Sequence, residues 1–167
     1  MTKNILWALL FIIAAGLLQS TFLSYIAPFN TVPDLALGIL VFAAYVNGTM
    51  SGQVTGFFSG FLLDFLSASP LGYNSLVRTL IGALAGLMKG TFYLDRVFLP
   101  ISLCAGATII KIVCCNLLHL IFSDTIPAYD IMLPGVWVEL GLNAFTAPFL
   151  FAILRAFKNL LINERKP

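Results

Sequence analysis

Nearly the whole chain consists of six apolar runs, most of them as long as a bilayer is thick. They cover residues 5–25, 33–47, 51–66, 74–93, 98–122 and 135–161. A spanning helix needs about 20 mostly apolar residues, with a range of about 17–25. Pro33 and Pro134 stand where proline suits the start of a helix. Of the 167 residues, 60% are apolar and 10% charged, against about 45–50% and about 25% in a soluble domain. A soluble fold of this length has too little interior to hide that surface. The net charge of +2, with no basic stretch that tracks phosphates, leaves no case for nucleic-acid binding. An outer-membrane barrel needs short strands of alternating polarity, and these runs are continuous. The expected fold is therefore an all-α, multi-pass membrane bundle: one integral domain over 1–167, with six transmembrane helices.

The second and third runs are short for a span. They either cross a locally thinned bilayer or form a re-entrant hairpin. The two cases leave the remaining spans in the same orientation. Lys3, Lys89, Arg96, Arg155, Lys158, Arg165 and Lys166 fall on one side, while the loops around 26–33, 66–73 and 123–134 hold no Lys or Arg. That asymmetry places both termini in the cytoplasm. The first run is too long for a signal-peptide core and reads as an uncleaved span. The basic tail reads as an inner-leaflet anchor meeting membrane lipids. Trp7, Tyr25, Tyr45, Tyr73, Tyr93 and Trp137 fall near span ends, as in an interfacial belt.

Two glycine stripes run through the third and fourth spans: Gly52, Gly56 and Gly60, then Gly82, Gly86 and Gly90. A four-residue spacing puts each set on one helix face. Small residues there let backbones approach, which is how helices associate in lipid. The stripes serve either to pack spans three and four together or to receive a helix from another protein. Each stripe continues into a charge four residues on, Asp64 in one and Arg78 in the other. The expectation is an Asp64–Arg78 ion pair that offsets the cost of two charges near the membrane. Asp34 opens the second span, where a carboxylate meets a helix N-terminus. Glu139 and Asn143 share a face of the sixth span, Lys111 lies deeper on the fifth and can extend toward Glu139 or toward a carbonyl, and His119 lies near an interface. With Asp34, Asp64 and Arg78, these residues form an expected outer polar cluster.

No metal site, cofactor site or catalytic set is legible. One His and three Cys within an apolar span (Cys104, Cys114, Cys115) do not make a zinc spacing. No phosphate-binding loop, nucleophile elbow or zincin motif occurs. Nothing in the sequence argues for an enzyme.

Three elements occur in order: Pro33-Asp34-Leu35 opens one span, Gly60-Phe61-Leu62-Leu63-Asp64 ends the next, and Ser69-Pro70-Leu71-Gly72-Tyr73-Asn74 follows. Together they resemble the MreD family of bacterial rod shape-determining membrane proteins. The resemblance implies a non-enzymatic scaffold of the peptidoglycan elongation machinery in the bacterial cytoplasmic membrane. It implies a single-span MreC-like partner, in company with RodA, a class B penicillin-binding transpeptidase and MreB. It also implies a fold similar to the S-components of energy-coupling-factor transporters. That likeness defines the rival expectation, a vitamin-like small-molecule binding or transport subunit with an outward polar cavity.

Overall fold

The computed structural model describes residues 2–19, 21, 31–67, 69–90, 97–122, 129 and 132–161. The described residues are helical with no strand among them. The elements are α1 (Thr2–Leu18), α2 (Leu35–Asn47), α3 (Thr49–Leu66), α4 (Tyr73–Leu87), α5 (Phe98–Ile121), α6 (Pro134–Ala156) and a single turn, α7 (Lys158–Leu161). The expected belt residues Tyr25 and Tyr93 lie outside the described residues, as do Arg96, Arg165 and Lys166.

α2 is the axis of the bundle. Its nine consecutive residues Ala36–Ala44 are all buried, and α1, α3, α4, α5 and α6 all pack against it. A helix that is apolar all round belongs in the middle of an assembly, and this one carries only Leu, Ile, Val, Phe, Ala and Gly from Leu35 to Ala44. Phe42 meets Phe151 of α6 edge to face, ring centroids 5.1 Å apart. At 13 residues α2 is only about 20 Å long. It passes into α3 through Gly48 alone, whose φ of 97° and ψ of 177° lie in a region essentially restricted to glycine.

α5 and α6 are long and apolar enough to cross a bilayer, and α1 and α2 are shorter apolar helices. The outer surface is apolar as well: Leu10, Phe58, Phe65, Leu120, Phe149 and Ile153 are all exposed. Soluble monomers rarely expose so many large apolar side chains, which are ordinary for a bundle solvated by lipid.

The glycines of α3 and α4 form the tightest joint in the molecule. A Cβ on Gly52 would overlap the backbone of Gly82, and one on Gly56 would overlap the carbonyl of Arg78. One on Gly60 would overlap Asn74 and Ser75, and one on Gly86 would overlap Gly48 and Thr49. The two stripes are thus nested backbone to backbone within the chain, which leaves no groove there for a helix from a partner. Gly90 is not part of the seam. The fourth helix ends at Leu87 rather than running to residue 93, and Gly90 sits in the turn beyond it with a φ of 75° and no neighbour within 4 Å of a built Cβ.

Candidate functional site

The polar residues gather at the end of the bundle where α2 and α4 begin and α3 ends. Asp34 is the N-cap of α2, and its carboxylate accepts from the Leu37 N–H at 2.9 Å. This is the usual cap geometry, in which a short acidic side chain satisfies an orphan donor of the first turn. The backbone N–H of Asp34 donates to the Asn143 side chain on α6 at 2.6 Å. Asn143 in turn donates to Thr108 on α5 at 3.0 Å. The start of the central helix is therefore pinned to α5 and α6 before any charge is considered.

Two cations converge on the same carboxylate. Arg78 of α4 donates from Nη2 to Oδ1 of Asp34 at 3.2 Å and to Oδ2 at 3.4 Å. Lys111 of α5 reaches Oδ2 at 3.3 Å and Oε1 of Glu139 on α6 at 2.6 Å. Lys111 lies mid-helix, and its long stem carries the ammonium to this end, leaving the side chain 22% exposed. Tyr129, between α5 and α6, donates its phenol to the other oxygen of Glu139. The Lys111 ammonium stands 6.0 Å from the Tyr129 ring centroid. Burial pushes the Tyr129 phenol above its ordinary range, and the bond to Glu139 pushes it further. It therefore stays protonated and remains a donor. The result is one chain of charge, Arg78–Asp34–Lys111–Glu139, with two cations and two anions.

The expected Asp64–Arg78 pair does not form. Asp64, 2% exposed, accepts instead from the loop that follows it: Ser69 Oγ at 3.0 Å, Gly72 N–H at 2.9 Å, and the Asn74 N–H and Nδ2 each at 2.9 Å. The N–H and hydroxyl of Ser75 complete the set at 3.4 and 3.3 Å. The N-cap of α4, Gly72, has no side chain, so a carboxylate from α3 caps that helix in its place. Oriented N–H groups at a helix start suit an anion, and they leave Asp64 no need of a cation. At Arg78 the two helices meet backbone to backbone, and the side chain leaves the seam toward α2. The outer polar cluster thus divides into a four-charge chain centred on Asp34 and a separate uncharged cradle around Asp64.

This cradle accounts for the ordered motif of residues 60–74. Gly60 admits the start of α4, Asp64 supplies the acceptor, and Ser69, Gly72 and Asn74 supply donors. Asp64→Ala strands at least three donors of the cradle. Loss of a cap costs about 0.5–2 kcal/mol, so the expected result is a lower unfolding midpoint in detergent and less protein in the membrane. Asp64→Asn, which keeps one acceptor oxygen, should fall between. An unchanged midpoint for Asp64→Ala would show that the cradle does not stabilise the hairpin.

Sequence reasoning did not assign Tyr129 or Ser75 to these networks. Tyr129 lies in a connection, where periodicity carries no information. Ser75 becomes meaningful only once α4 is known to start at Tyr73. Between α2, α4, α5 and Tyr129 the structure leaves a cavity of about 150 Å³ lined by Asp34, Tyr73, Asn74, Arg78, Lys111 and Tyr129 among others. Among the described residues no group of three His, Cys, Asp or Glu side chains is placed to hold a metal ion.

No curated protein and no solved structure matches the chain. A family model does, over residues 1–159, and its description is rod shape-determining protein MreD. The match covers nearly the whole chain, well beyond the motifs of residues 33–74. On that match the chain belongs to the MreD family, non-enzymatic membrane proteins of rod-shape determination.

Proposed function

We propose that this chain is a six-span scaffold of the cell-elongation machinery in the bacterial cytoplasmic membrane, holding the single span of an MreC-like protein. RodA, a class B transpeptidase and MreB would join it in the assembly. The family match over residues 1–159 is the observation that carries this reading. The physical character of the bundle supports it. Among the described residues the buried polar groups are largely turned on one another, and the exposed surface is mostly apolar helix, so helix faces are what a partner has to bind there. The glycine seam is filled by α3 and α4 themselves, so a partner's span would dock on another face.

The topology belongs to the same proposal. Lys3 at the start of α1, Lys89 just past α4 and Arg155 near the end of α6 fall at the end opposite Asp34. There Asn47 donates to the Leu161 carbonyl at 2.7 Å and accepts from Asn4 at 3.4 Å. A cationic end is the cytoplasmic one, which puts the Asp34 cluster on the far side. Residues 35–66 would cross as two short spans.

Affinity purification from native membranes in mild detergent tests the proposal. The expected result is co-purification of a single-span protein with a large extracytoplasmic domain. Recovery of an ATPase pair with a coupling membrane subunit, and no wall-synthesis protein, would replace the scaffold with a transport subunit.

A further inference from the structure

We propose that the cavity beside Asp34 binds a monoanionic oxygen group, a phosphodiester or a carboxylate, through Arg78 and Lys111. The first argument is size. A single water needs about 10–15 Å³ of such space, and this cavity has about 150 Å³, enough for a group of several heavy atoms.

The second argument is a mismatch between charge and hydrogen bonding. Asp34 and Glu139 balance Arg78 and Lys111 in charge, but not in donors. A guanidinium has five N–H donors and an ammonium three. Arg78, its side chain only 5% exposed, bonds through Nη2 alone. Its Nε and Nη1 have no acceptor among the described residues. Lys111 has acceptors for two of its three donors. The carboxylates have little left to offer: Asp34 already takes Leu37, Arg78 and Lys111, and Glu139 takes Lys111 and Tyr129. The site is thus short of acceptor oxygens, and its spare donors border open space that a ligand's oxygens can fill.

The third argument is geometry. A planar guanidinium with free N–H groups matches two oxygens of one phosphate or carboxylate, and Lys111 approaches the same space from α5. A neutral cluster tolerates one added negative charge better than two, which favours a monoanion. The same chemistry is offered by a free oxyanion and by the headgroup of an anionic lipid.

The test uses the full chain with Arg96, Arg155 and Arg165 changed to Lys, so that Arg78 is the only arginine. The protein, labelled with ¹⁵N-arginine, is held in an uncharged detergent at constant ionic strength. It is titrated first with inorganic phosphate, then with short-chain phosphatidylglycerol. The expected result is a saturable shift of the Arg78 Nε–H signal. A shift with both probes assigns the site to oxyanions in general, and a shift with phosphatidylglycerol alone assigns it to a lipid headgroup. Val77→Phe, which places a ring in the cavity wall without touching a charge, should abolish the shift. An unmoved Arg78 signal with both probes, or a shift that persists in a folded Val77→Phe protein, overturns the proposal. The readout involves no wall-synthesis partner, so it stands apart from the scaffold assignment.

Discussion

Asp34→Ala is expected to leave little folded protein, and Asp34→Asn to show why. One carboxylate caps α2 and neutralises both Arg78 and Lys111. Removing one member of a buried pair costs about 3–5 kcal/mol, because the other charge stays buried without compensation. Losing the cap adds about 0.5–2 kcal/mol. Asn keeps an acceptor for the Leu37 N–H but loses the charge and one acceptor oxygen, so Asp34→Asn separates loss of the ion pairs from loss of the cap. The partners differ in their fallback. Lys111 still has Glu139 at 2.6 Å, whereas Asp34 is the one ion-pair partner of Arg78 among the described residues. Arg78→Gln should therefore rescue Asp34→Asn more than Lys111→Met does. The coupling between residues 34 and 78 should lie in the range of about 0.5–3 kcal/mol seen for contacting pairs. Unfolding of the single and double variants in one detergent measures it. Additive effects would mean that Arg78 does not depend on Asp34 for its charge balance.

The site was partly legible because some of its geometry is local and some is not. Asp34 as a cap follows from its place before an apolar helix, and Lys111 toward Glu139 follows from the length of a lysine. The glycine spacing predicted close backbone approach because a four-residue repeat fixes a helix face. The Asp64–Arg78 expectation extended that arithmetic one step too far. Equal depth on two neighbouring helices does not set partner choice when the backbones already touch and leave no room between them for a side chain. Gly90 failed for a related reason: the stripe continues only as long as the helix does, and α4 stops at Leu87. The central position of α2 was not legible either. An apolar run of 13 residues reads alike whether it faces lipid or other helices, and only the packing of α1, α3, α4, α5 and α6 around it decides the matter.

Gly56→Ala is expected to be among the most damaging methyl additions in this chain, with those at the other seam glycines Gly52, Gly60, Gly82 and Gly86. A Cβ on Gly56 would meet the carbonyl and carbonyl carbon of Arg78 and, at 3.0 Å, Cα of Thr79. These are all backbone atoms, which cannot rotate away as a side-chain end can, so the helices themselves must separate. Overpacking a well-fitted interior costs about 1–3 kcal/mol, occasionally more, and relief here requires movement along the length of two helices. Gly56→Leu should yield no folded monomer. Gly106→Ala supplies the contrast: Gly106 is also helical, with nothing within 4 Å of a built Cβ. Ala there should be neutral or stabilising by up to about 1 kcal/mol, since glycine weakens a helix interior. The damage at Gly56 should also reach the charged site, because the carbonyl that must move belongs to Arg78. Pushing α4 away from α3 shifts the origin of the side chain that reaches Asp34. Gly56→Ala and Arg78→Gln should then be less than additive, since the first already weakens what the second removes. Equal unfolding midpoints for Gly56→Ala and Gly106→Ala would mean that the seam has slack. In that case it would not be what fixes Arg78 relative to Asp34.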